Sequence, residues 1–200
     1  MNTQKIQREE NDEDDEECTR GEERRNSDEY FVKLLHKKRV ILLYGLIDNY
    51  MAETICTKIQ GMNLLNSKMP ITLKINSPGG SITDGLAIID EMIISKAPIH
   101  TIITGECASM AGIISLVGHK RFITQNGVWM MHSSSDLMQG FLQHIKDRTS
   151  FLVKLENRMD TVLKEKTKLT KAQMRQIKNG ELWLFAEEAK KYGIVNDILK

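Results

Sequence analysis

The chain has 200 residues, a length for one domain rather than two. Hydrophobic residues make up 40% and the formal net charge is +1, which is ordinary for a globular protein and carries no global signal for nucleic acid or an anionic membrane as partner. Three cysteines, Cys18, Cys56 and Cys107, are too few and too widely spaced for a zinc site or a disulfide framework, so a reducing compartment is expected. The hydrophilic N-terminus lacks a signal-peptide pattern, and the longest apolar run, residues 107–118, falls well short of the roughly 20 residues of a membrane helix. A soluble cytoplasmic protein is the expectation.

Residues 1–28 read as a disordered, charged N-terminal arm. They include the acidic run Asp12 to Glu17 and almost no large apolar side chains, so ordering them would bury little. A single folded domain is expected over 29–200, starting near Tyr30, where Phe31, Leu34 and Leu35 have helical spacing. Val40 to Ile47 reads as a buried strand. Ile55, Ile59, Met62 and Leu65 then predict a helix over 49–65. Ile71 to Ile75 is a second strand, and Thr83 to Ser95 a helix with Leu86, Ile89 and Ile93 on one face. Ile99 to Thr104 is a third strand, Met110 to Gly118 an apolar helix, and short strands follow near Phe122 and at Val128 to Met131. Residues 137–166 carry Phe141, Ile145, Arg148, Leu152, Leu155, Met159 and Val162 at spacings of three and four, which predicts one long helix that packs against another subunit or lies along the surface. A helix capped by Thr170 and one over 186–192 complete the chain. The β–α alternation predicts an α/β fold with a mainly parallel sheet.

Three segments carry chemistry. Asn76-Ser77-Pro78-Gly79-Gly80 follows a strand, and such a Gly-rich turn can aim N–H groups at an anion or simply join strand to helix. Gly105 to Gly112 (GECASMAG) places Ser109 among small residues between a strand and a helix, as a nucleophile or as an ordinary N-cap. Trp129-Met130-Met131-His132-Ser133 ends an apolar strand on a histidine that can face a cleft. Taken singly, each has a structural explanation.

Together, and in this order, they resemble the ClpP family, the proteolytic subunits of the Clp proteases. The resemblance rests on INSPGG at 75–80, SITDGLAIID at 81–90, GECASMAG at 105–112, KRFI at 120–123, VWMMH at 128–132, Gln139-Gly140 and LFAEEAKKYGIVNDIL at 184–199. It implies the ClpP/crotonase-like spiral of β–α units with a protruding handle helix. It also implies a serine endopeptidase with Ser109 as nucleophile, His132 as base and the Gly80 and Met110 amides as oxyanion hole. No cofactor is implied. The expected partners are polypeptide substrates, further copies of the chain in two stacked seven-membered rings, and a Clp-type ATPase.

The third triad position falls on Glu181, two residues before Trp183, where the family usually has aspartate. Glutamate does the same electrostatic work with about 1.5 Å of extra reach. Otherwise His132 would be oriented by another group such as Asn179. The sequence departs from the family elsewhere as well. His132 is followed by Ser133-Ser134-Ser135-Asp136 in place of a proline and paired glycines, the loop before KRFI is short, and the N-terminal segment is acidic where the family's is apolar. The last departure puts the ATPase partnership in question. Two rival readings are a catalytically impaired structural subunit of a mixed ring and a crotonase-type acyl-CoA enzyme, whose chemistry needs no serine–histidine pair.

Overall fold

The computed structural model describes residues 30–135 and 138–200. The chain divides into two units, Met1–Arg39 and Val40–Lys200. In the first, the described residues form a helix over 30–37, as the spacing of Phe31, Leu34 and Leu35 predicts. The arm at 1–28 lies outside the described residues, as does Asp136.

The second unit is α/β. Its elements are β1 (Val40–Tyr44), α1 (Asn49–Leu65), β2 (Ile71–Ser77), α2 (Ile82–Ile94), β3 (Ile99–Ala108), α3 (Met110–Leu116), β4 (Lys120–Thr124) and β5 (Val128–His132), followed by α4 (Leu142–Lys166), α5 (Lys171–Asn179), β6 (Glu181–Phe185), α6 (Ala186–Lys191) and β7 (Asp197–Leu199). The strands run β1-β2-β3-β4-β7, all parallel, with β5 also parallel to β3 and β6 antiparallel to β5. Alternate residues of β2 (Ile71, Leu73, Ile75) are fully buried, and the aliphatic, β-branched character of β1 to β3 suits a sheet covered by helices.

β3 has two neighbours because it bends. Residues 100–103 pair with β4, whereas Glu106 to Ala108 pair with β5. Between them the β2–β3 register shifts, with Ile75 opposite Ile103 but Ser77 opposite Cys107. A bulge of this kind re-aims a strand end. Asn76 holds the bend, its Oδ1 accepting from Glu106 N at 3.1 Å. The bent end carries Ser109.

The helices obey their caps. Asp48 accepts from Met51 N at 2.8 Å, and Thr170 and Gln173 form a reciprocal capping box. α1 buries Ala52, Ile55, Ile59 and Met62, while Leu65, its last residue, is exposed. In α2 the buried face is Gly85, Ile88, Ile89 and Met92, and Ile93 faces outward. The expected face of Leu86, Ile89 and Ile93 is thus rotated. Apolar residues lie all around α2, so spacing alone does not select the side that meets the sheet.

α3 is buried along its whole length. α4 is 25 residues long, and its buried residues are Leu155, Asp160 and Leu163, all in the second half. β6 and β7 were not anticipated from the sequence. β6 has the alternation of an edge strand, with Leu182 and Leu184 buried and Glu181, Trp183 and Phe185 exposed.

Candidate active site

Ser109 stands between β3 and α3 with φ 54° and ψ −122°. Positive φ in a residue with a Cβ is strained by about 1–3 kcal/mol and persists only where neighbours enforce it. Its N–H donates to Met130 O at 2.9 Å, tying the turn to β5. On the other side the Gly-rich turn lies so close that a Cβ on Gly79 would sit 2.8 Å from the Ser109 Cβ. Glycine there permits the approach. A strained strand-to-helix turn that presents a hydroxyl is also the geometry of nucleophile elbows in other hydrolases.

His132 ends β5, and its Nε2 lies 2.9 Å from Ser109 Oγ. The two residues are brought together because β5 pairs with the bent end of β3. To take a proton from Ser109, Nε2 must be unprotonated, so the imidazole proton belongs on Nδ1. Directly after the histidine, Ser133 N donates to Ile177 O at 3.1 Å and Ser133 Oγ to Lys178 O at 3.3 Å. The last turn of α5 therefore fixes the chain on the far side of His132.

That same turn is itself held. Lys178 Nζ lies 3.2 Å from a carboxylate oxygen of Asp160, which is nearly buried on α4, and Lys164 Nζ approaches the same oxygen at 4.0 Å. Gln176 Nε2 donates to the main-chain carbonyl of Glu181 at 3.0 Å. None of these positioning contacts was foreseen from the sequence. One Asp among the many charges of a long helix looks like any solvated charge until α5 is packed against it.

Glu181 is the ladder partner of His132, directly opposite it in the β5–β6 pair. Opposed residues point to the same face of a sheet. Its carboxylate, however, accepts from Trp183 Nε1 at 2.8 Å, and among the described residues no hydrogen bond joins it to His132. Asn179, the other candidate, is the last residue of α5, and no hydrogen bond connects it to His132 either.

Gly80 has φ 146° and is clamped by Ile47. Ile47 N donates to Gly79 O and Ser81 N donates to Ile47 O, both at 2.8 Å. This bridge runs through the neighbours of Gly80 and leaves the Gly80 N–H outside the ladder. A Cβ on Gly80 would collide with the Ile47 carbonyl. Met110 is the first residue of α3, so its N–H has no intrahelical acceptor. Gly80, Met110, Ser109 and His132 all line one cavity of about 180 Å³, whose other walls include Ile82, Met131 and Met159. The hydroxyl of Ser134, also in that wall, is buried without a hydrogen-bond partner among the described residues.

A second potential nucleophile lies two residues from Ser109. Cys107 is fully buried, and burial pushes its thiol up to about 12. It stays protonated and enclosed at neutral pH, so the hydroxyl is the group offered to the cavity. Among the described residues no helix is long and apolar enough to cross a membrane.

The arrangement is a hydroxyl in contact with an imidazole, two amides with no acceptor among the described residues, and a recess lined by apolar and hydroxyl side chains alike. A sequence model of the Clp protease family matches residues 21–200, nearly the whole chain. The elbow, the Gly-rich turn and the histidine-ended strand thus sit in a known peptidase framework, and the chain belongs to the Clp protease family.

Proposed function

We propose that this protein is a serine endopeptidase that cleaves unfolded polypeptides or short peptides, with Ser109 as nucleophile and His132 as base. The observation that carries the reading is the 2.9 Å contact between Ser109 Oγ and His132 Nε2 at a strained turn. His132 removes the hydroxyl proton as Oγ attacks the scissile carbonyl, then passes that proton to the leaving amine. Water cleaves the acyl-enzyme with His132 again as base. The Gly80 and Met110 amides receive the developing oxyanion, and Glu181 serves as the acid that favours the Nδ1-protonated imidazole. The methionine-lined recess accepts an apolar side chain of the substrate.

Family membership supports a closed homo-oligomer of stacked rings in the cytoplasm, fed by a Clp-type ATPase. In such an assembly enclosure, rather than pocket chemistry, limits entry to unfolded chains. The Glu181–Trp183 bond favours a second reading, a subunit whose catalysis is impaired within a mixed ring. A fluorophosphonate probe separates the two. Labelling of the wild type and not of Ser109→Ala is expected, and an unlabelled wild type in every assembly state would refute the peptidase.

A further inference from the structure

His132 and Glu181 face each other, yet neither uses the other. Among the described residues, the only hydrogen bond at the His132 ring joins Nε2 and Ser109 Oγ, and the only one at the Glu181 carboxylate comes from Trp183. The reason lies in side-chain length. Opposed residues of an antiparallel pair have Cβ atoms about 4.5–5.5 Å apart, a gap that a carboxylate on one methylene spans to a facing imidazole. Glutamate is longer by about 1.5 Å. That length lets it lie along β6 and reach the residue two positions on, on the same exposed face. Trp183 occupies that position, and its indole N–H can only donate. At 2.8 Å it takes Oε2.

We propose that Trp183 is a positioning residue that holds the Glu181 carboxylate off His132, leaving the base to work without its acid until that bond breaks. The inference rests on the peptidase reading with Glu181 as the acid. The longer acid and the indole form one device, since the acid reaches the indole and the indole supplies the competing donor.

The test is steady-state hydrolysis of a peptide ester and a peptide amide by the full chain in its native assembly. Trp183→Phe keeps the aromatic body and removes the donor. It raises kcat about fivefold, the weight of one ordinary hydrogen bond in a two-state balance, with KM unchanged. Glu181→Asp shortens the acid and moves kcat the same way, and it carries the test if Trp183→Phe does not assemble. In a Glu181→Gln background, Trp183→Phe has no further effect, which a double-mutant cycle reads directly. A lowered or unchanged kcat in both single variants overturns the inference while leaving the peptidase standing. So does an equal rise with and without the Glu181 carboxylate. Absence of any Ser109-dependent turnover overturns the peptidase and the inference together.

Discussion

The two halves of the candidate site are built differently. Ser109 and His132 sit at strand ends tied to the core, with Cys107, Ala108, Met110 and Met131 buried around them and glycine turns pressed against the elbow. Glu181 and Trp183 lie on the exposed face of an edge strand, and Trp183 is 46% exposed. In the first half packing over-determines the geometry, so a strained φ and a short contact persist. In the second, a flexible acid chooses between partners whose hydrogen bonds differ by little, because water competes for both. On the peptidase reading, a tightly packed Ser109–His132 pair beside an exposed Glu181 lets the rate be adjusted without disturbing the elbow.

The comparison is broken most directly at the rigid half. Gly80→Ala introduces a Cβ that meets the Ile47 carbonyl at a backbone angle closed to alanine. It is expected to reduce kcat by about 10²–10³-fold, the cost of one oxyanion donor, with assembly retained by gel filtration. If activity is unchanged, Gly80 does not shape the hole.

Glu181→Gln tests the loose half. Neutralising a fully engaged triad acid costs about 10⁴-fold. With the carboxylate held by Trp183, the expected loss in kcat/KM is roughly 10-fold, and a loss near the full value would mean that the acid is already engaged.

Asp160→Ala asks whether the two halves share a support. It removes the anchor of Lys178, whose turn of α5 holds Ser133. Because the lysine side chain is 56% exposed, the ion pair is partly screened, and a loss of about 1–2 kcal/mol in stability is expected by urea denaturation. A change in stability together with kcat would place the clamp under His132, whereas a change in stability alone would make it a packing contact.

Cys107 supplies a gentler probe of rigidity. Its thiol is raised in the folded chain, so between about 9 and about 12 the unfolded chain has lost a proton that the folded chain keeps. Stability therefore falls as pH rises through that window. At neutral pH an alkylating reagent is expected to leave Cys107 unmodified in the native state by mass spectrometry, and rapid native alkylation would mean that the elbow opens. The smallest effect is expected at Ser134→Ala. Removing a buried hydroxyl with no partner among the described residues is expected to raise stability by up to about 1 kcal/mol, read as a higher Tm, and a clear fall would reveal a missing partner.

Much of the framework was legible in the chain. Aliphatic runs marked β1, β2 and β3, the cap at Thr170 marked a helix start, and glycine-rich turns beside strands pointed to residues 76–80 and 105–112. These signals are local, since propensity, capping and turn chemistry act over a few residues. β6 was missed because ELWLF, five residues beside a glycine, reads as a loop until β5 gives it a hydrogen-bonding partner. The buried face of α2 was misjudged because its apolar residues surround the helix and only contact with α1 and α3 selects one side.

By itself, then, the sequence determined an α/β domain and its Gly-rich turns, and motif order brought Ser109, His132 and Glu181 to notice as candidates. Only the tertiary structure decided how these meet. The bulge in β3 and its pairing with β5 bring Oγ within 2.9 Å of Nε2, and the pairing of β5 with β6 sets Glu181 opposite His132. The tertiary structure also reveals that the acid bonds to Trp183. That choice depends on distances of an ångström across strands far apart in sequence, which residue types alone do not encode.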